Sequence, residues 1–200
     1  MTRKFVKRSK FFAELYRSYF PEIYSRIELT FCSKRTRLII QSYVKSIMKH
    51  YEVTAKFGGP TNRVRFSSSK NPEIYHKLIM EDSLFAREMN MTRRFIANRS
   101  VKAVYRETYP GSLITYWMDP IIGAQKFTEY VCATFRCNVT VELGLRLSKN
   151  SRKSLQILDW IQENEQCVKC VKFQENASEN EILMFLETTR WTKDVIKAVE

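Results

Sequence analysis

Apolar and polar residues alternate most clearly in the last third of the chain. Val139, Val141, Leu143, Leu145 and Leu147 occupy every second position, which predicts a strand with one face buried. Leu155, Leu158 and Ile161, with Trp160 beside them, recur at helical spacing, and Ser151 or Ser154 can cap the start of that helix. A short apolar run from Val168 to Phe173 predicts a second strand. Ser178 and Glu181 have the spacing of a capping box, and Ile182, Leu183, Phe185 and Leu186 give the helix behind it an apolar face. A third run, Asp194 to Val199, closes the chain. The strand centres, near Leu143, Val171 and Lys197, lie roughly 28 residues apart, a period typical of leucine-rich-repeat-like units. So few strand–helix units cannot bury their apolar faces alone and must pack on what precedes them.

Upstream, Phe11, Phe12, Leu15, Tyr16, Tyr19 and Phe20 form a helical stripe within residues 10–24, and Ser33 can cap a helix over 34–50. Tyr51–Phe57 and Asn62–Phe66 both alternate around Gly58-Gly59-Pro60, which predicts a hairpin. Residues 67–111 show no clear period; Ile74–Met80 reads as a short helix or a strand, and Val101–Tyr105 as a strand. Leu113–Trp117 predicts a strand, and Asp119-Pro120 opens a helix with Ile122, Phe127, Val131 and Phe135 on one face. Helices thus come first and strand–helix units later, in a chain of α+β or α/β class.

Composition narrows this reading. With 44% hydrophobic and 13% aromatic residues, the chain can bury a core, which argues against general disorder. No run of eighteen apolar residues predicts a membrane helix, and the basic start lacks the apolar centre of a secretion signal, so the chain is expected to be intracellular, in cytoplasm or nucleus. The net charge of +13 is uneven: residues 1–70 hold sixteen Lys/Arg against four Asp/Glu. That bias fits an acidic partner such as nucleic acid, or equally a solvated surface. The five cysteines are odd in number and scattered, unlike a disulfide framework. Cys167 and Cys170 have the spacing of a zinc or redox pair, but neither His50 nor His76 completes a ligand set, so the cysteines read as small buried fillers. No phosphate loop, nucleophile elbow or metal motif appears, and Asp119, Glu129 and Asp159 read as structural carboxylates. Neither a catalytic residue nor a metal or other cofactor is expected.

Several stretches resemble the nematode-type F-box proteins that carry a type 2 F-box-associated domain. Ile27-Glu-Leu-Thr-Phe-Cys-Ser-Lys-Arg-Thr36 is similar to the closing helix of their F-box, and Ala55-Lys-Phe-Gly-Gly59 to the strand and double-glycine turn that follow. Thr115-Tyr-Trp-Met-Asp119, Gly123 and Thr128-Glu-Tyr-Val131 resemble the opening of the associated region. Ile157-Leu-Asp-Trp-Ile161, Ser178-Glu-Asn-Glu181, Phe185-Leu186 and Thr192-Lys193 resemble its core. The likeness covers roughly residues 23–66 and 115–193. The leucine-proline start of such F-boxes is absent, so the resemblance is to an F-box shortened at its N-terminus.

The resemblance implies an incomplete F-box-like helical segment over residues 10–50 and an F-box-associated strand–helix domain over 51–200, with its core at 115–199. It implies a non-enzymatic, substrate-recognition subunit of an SCF ubiquitin ligase, bringing an unknown target protein near the ligase. Phe12, Leu15, Pro21, Ile23, Ile27 and Leu29 would meet a Skp-type adaptor, unless they only close the helical pair. Trp117 and Trp160 would anchor the target or pack in the core. Lys34, Arg35 and Arg37 form a basic patch or a solvated helix face. The alternatives are a basic nucleic-acid-binding module through residues 1–70, and a degenerate family member that does not bind the adaptor.

Overall fold

A computed structural model describes residues 35–38, 40–41, 48, 50–59, 61–70, 75–85, 91–96, 99–106, 112–174, 177–190 and 196–198. Their strands are β1 (Tyr51–Phe57), β2 (Asn62–Ser68), β3 (Tyr75–Asp82), β4 (Thr92–Ile96), β5 (Arg99–Arg106), β6 (Ser112–Trp117), β7 (Val139–Leu143), β8 (Val168–Phe173) and β9 (Ile196–Ala198). Three helices separate the later strands: α1 (Pro120–Phe135), α2 (Arg152–Glu163) and α3 (Glu179–Thr188). The strands join one mixed sheet of nine in the order β4-β5-β6-β3-β2-β1-β7-β8-β9. The fold is α+β, as the spacing of apolar residues implies.

The hairpin forms where the double glycine predicts it. β1 and β2 pair antiparallel from Tyr51–Ser68 to Lys56–Arg63, and Gly58 and Gly59 turn the chain at φ 81° and 74°. Only glycine holds such angles without strain, and a Cβ at Gly58 would overlap the Leu145 side chain. Alternation then sorts the side chains: Val53, Ala55 and Phe57 are buried, while Thr54 and Lys56 on the other face are half-buried.

β7, β8 and β9 are successive neighbours, all parallel, with Val141 opposite Val171 and Val171 opposite Ile196. β7 stops at Leu143, short of the predicted Leu147. Gly144 N–H donates instead to Phe57 O at 2.7 Å, and Leu145 folds over Gly58. This parallel run is not free-standing, for β1 lies alongside β7 and continues the sheet into five further strands. All three helices cover the same face. Phe135 of α1 meets Phe66 at a ring separation of 5.9 Å, Trp160 of α2 meets Phe57 at 5.1 Å, and Phe185 of α3 meets Phe173 at 5.5 Å. Burying a whole aromatic ring on that face contributes roughly 2–3 kcal/mol, comparable to each of the large aliphatic side chains packed beside it.

The helix starts follow local chemistry. Asp119 caps α1, accepting from Ile121 N–H at 2.8 Å and Ile122 N–H at 3.3 Å, with Pro120 in the first turn. Its buried stripe includes Ile121, Phe127, Val131 and Phe135; Ile122, placed on this face by the sequence reading, is only half-buried, because the stripe runs one position earlier. Ser151, not Ser154, caps α2, and Ser178 with Glu181 forms the expected capping box at α3. Residues 35–38, 40 and 41 are helical, and Ile40 reaches the same core as the sheet. Gln41 Nε2 donates to Ala133 O of α1 at 3.2 Å.

A candidate protein-binding rim

The strand pairings give β1, β3, β4, β6, β7, β8 and β9 one direction and β2 and β5 the opposite one. Seven C-terminal strand ends therefore share one edge of the sheet. The starts of α1, α2 and α3 lie on the same edge, because each helix follows a strand from that side. Loops at this edge of parallel strands commonly carry the binding surface of an α/β sheet.

Apolar side chains are exposed along this rim. Among the described residues the exposed large hydrophobics are Leu38, Leu84, Met118, Leu155 and Leu183, and the last four belong here. Met118, 93% exposed, stands between the last residue of β6 and the cap of α1; Leu84, 81% exposed, follows β3. Asp82 and Trp117 are register partners, so Leu84 and Met118 leave adjacent strand ends. The Asp82 carboxylate accepts Leu84 N–H at 2.9 Å and shapes that turn. Leu155 lies in the first turn of α2, and Leu183 in the second turn of α3.

Two open grooves flank these residues. One, about 580 Å³, lies between the segment after β7 and α3, lined by Arg146, Ser148, Lys149, Asn180, Leu183 and Glu187 among others. An exposed ion pair joins Lys149 to Glu187 at 3.0 Å beside it. The other, about 520 Å³, is formed by α1 and α2 with Asp119, Ile122, Lys153 and Leu155 in its walls. Glu181 fixes the first groove from below. Its carboxylate accepts Leu147 N–H at 2.8 Å, Ser178 N–H at 2.9 Å and Ser178 Oγ–H at 3.0 Å. Burial alone would raise this carboxyl; the backbone donors of Ser178 and Leu147, the Ser178 hydroxyl and nearby Arg146 outweigh it and hold the group below the usual carboxylate range.

The helix-free face of the sheet has a different character. Register places Lys77, Arg65, Thr54 and Thr140 in one row, and Arg63, Lys56, Glu142 and Lys172 in another. Arg65 lies over the Tyr75 ring at 4.3 Å and Lys77 at 4.7 Å. Towards β6 this surface closes, since Ser112, Ile114 and Tyr116 are buried.

The residues singled out by sequence fall in several places. Phe12, Leu15, Pro21, Ile23, Ile27, Leu29 and Lys34 lie outside the described residues. Arg35 is exposed, whereas Arg37 is half-buried and lies over the Tyr130 ring at 5.7 Å. Trp117 and Trp160 are each only 5% exposed. The Trp117 indole N–H donates to Thr115 Oγ1 at 2.9 Å, and that of Trp160 to Glu129 Oε1 at 3.0 Å. Both rings pack in the core and stand off the rim. Asp119 caps a helix, and Glu129 also pairs with Lys126 at 2.8 Å. Helical spacing places Leu155 and Leu183 on the apolar faces of their helices, yet both are exposed, because each lies at the border of its stripe; Leu84 and Met118 have no place in either pattern. Met118 alone left a signal: it lies between a strand end and a capping aspartate, where the backbone leaves the core.

Among the described residues no group of His, Cys, Asp and Glu is placed to hold a metal ion, and no helix is long and apolar enough to cross a membrane. No protein-family model, curated protein or solved structure matches the chain.

Proposed function

We propose that the chain is a protein-recognition subunit that grips a target through the C-terminal rim of its sheet. The observation carrying this reading is that four of the five exposed large apolar side chains among the described residues gather there. Exposed apolar groups rimmed by charge are characteristic of protein contacts. The neighbouring parallel strands β7, β8 and β9, each reached through a helix on one face, support a repeat-like scaffold of leucine-rich-repeat kind. Together with the resemblance to nematode-type F-box proteins, they favour a substrate-recognition role within a ubiquitin ligase. Such a subunit does no chemistry; it raises the effective concentration of its target near the ligase.

The test is co-elution of the full chain with a Skp-type adaptor on size exclusion, at low and high salt. A salt-tolerant complex supports the ligase role. A monodisperse, cooperatively melting chain that leaves the adaptor free removes it and favours the degenerate, adaptor-blind member, which keeps the rim without the ligase.

One observation favours a second reading, nucleic-acid binding. Lys77, Arg65, Arg63 and Lys56 are neighbours across three strands, and two of them are held against Tyr75. Binding of single-stranded RNA by this face would weaken steeply with salt and would lose strength on Arg63→Glu with Lys56→Glu. Binding that is salt-tolerant or unaffected by those substitutions would rule that reading out.

A further inference from the structure

The described cysteines group differently from their order in the chain. Cys170 sits in β8 as the register partner of Thr140, with its Sγ 3.4 Å from Thr140 Oγ1. Thr140 belongs to the helix-free face. Cys167, three residues earlier, ends the short turn Glu165–Cys167 before the strand, and its carbonyl lies 3.9 Å from Cys132 Sγ on α1. The two members of the Cys-X-X-Cys spacing thus serve opposite sides of the sheet. The Cys132 thiol instead interacts with those of Cys167 and Cys137. Cys132 is buried, Cys137 and Cys167 are half-buried, and all are free thiols.

We propose that Cys132 and Cys167 form a redox pair that closes to a disulfide when the protein meets a peroxide. Cys167 is the less covered of the two and is oxidised first. Its thiol takes one oxygen from hydrogen peroxide to become a sulfenic acid, and the rest of the peroxide leaves as water. The Cys132 sulfur then bonds to the Cys167 sulfur. The hydroxyl departs with the Cys132 proton as a second water, so two thiols supply the two electrons that reduce one peroxide. Burial pushes the Cys132 thiol up, and Cys137 up to about 12, so both stay protonated at neutral pH and inert toward the oxidant itself. The bond would tie the C-terminal half of α1 to the start of β8, positions 35 residues apart.

The experiment treats the full chain with hydrogen peroxide, blocks remaining thiols under denaturing conditions and maps the peptides without reduction. The expected result is a peptide pair joined through Cys132 and Cys167, two mass units lighter than its parts. Dithiothreitol should reverse it, and the oxidised protein should melt at higher temperature. Cys167→Ser should abolish both the link and the melting shift, and Cys170→Ser should leave both in place. A dominant Cys167–Cys170 or Cys137–Cys167 link overturns the assignment. So does accumulation of Cys167 sulfinic acid without any link. Because Cys167 is half-exposed, its serine variant is expected to fold, and its melting curve before peroxide treatment checks that it does.

Discussion

Replacing Glu181 with alanine should destabilise the protein by about 3 kcal/mol, although the residue lies in the first turn of a short helix. Three donors converge on its carboxylate: Leu147 N–H, Ser178 N–H and Ser178 Oγ–H, at 2.8, 2.9 and 3.0 Å. Leu147 is only 6% exposed, so removing its acceptor leaves a buried N–H unsatisfied, at a cost of roughly 1–3 kcal/mol. Loss of the reciprocal half of the capping box adds about 1 kcal/mol. For a chain of this size, about 3 kcal/mol lowers Tm by roughly 6–12 °C. Glu181→Gln should cost less, near 2 kcal/mol, because its one carbonyl oxygen can still serve either Leu147 or Ser178. The pH dependence gives a second check. The folded-state carboxyl is held below its unfolded value, so its contribution is complete above the unfolded value of about 4.3 and is lost as pH falls through the lower folded value. The Tm gap between wild type and Glu181→Ala, followed by far-UV circular dichroism, should therefore be widest near neutral pH and narrow in acid. A variant melting within about 1 °C of wild type, or a gap unchanged into strong acid, would refute the reasoning.

Two further substitutions probe the core and the rim. Gly123→Ala should lower the urea midpoint despite alanine's better helix propensity. The added Cβ would lie 2.6 Å from Trp117 Cγ, and overpacking of that kind costs about 1–3 kcal/mol; a raised midpoint with an unchanged near-UV tryptophan signal would contradict the packing. Leu84→Ser combined with Met118→Ser should leave Tm nearly unchanged, since both side chains are over four-fifths exposed, while reducing binding of a hydrophobic dye. A Tm loss of several degrees would show these groups to be buried.

Legibility in the sequence followed how strictly each strand separates its two faces. β1 and β2 carry Lys56, Arg63 and Arg65 on one side and Ala55, Phe57, Val64 and Phe66 on the other, so their period was visible. β3 was not readable because Ile79, on the helix-free side, opposes Ile114 of β6, which itself opposes Val104 of β5. That second apolar row merges with Leu78 and Met80 into a continuous run, which carries no period of two. β6 is buried at all six positions for the same reason. In β4, Arg93 and Arg94 fall on opposite faces, and Arg94, the register partner of buried Val101, interrupts the apolar row that Ile96 belongs to, so no alternation shows. Three of the nine strands lie within residues 67–111: β4 leaves no period, β3 reads equally as helix or strand, and β5 alone is legible, as Val101–Tyr105. The helices α1, α2 and α3 each announce themselves through a capping residue.

The same contrast explains why the rim was harder to read than the fold. Core positions repeat, because each obeys the geometry of its own element. Met118 and Leu84 leave adjacent strand ends only because Asp82 and Trp117 pair across thirty-five positions of sequence, and Leu155 and Leu183 reach the same edge of the sheet through two separate helices. Surface of this kind has no local period and emerges only from register. The buried tryptophans point the same way. Trp117 and Trp160 have the chemistry of binding anchors, yet Thr115 and Glu129 satisfy their indole donors internally. A large aromatic whose polar edge has an internal partner gains more from the core than from the surface. In the proposed function, recognition would fall to the smaller exposed side chains of the rim, with the buried aromatic residues beneath them as a rigid floor.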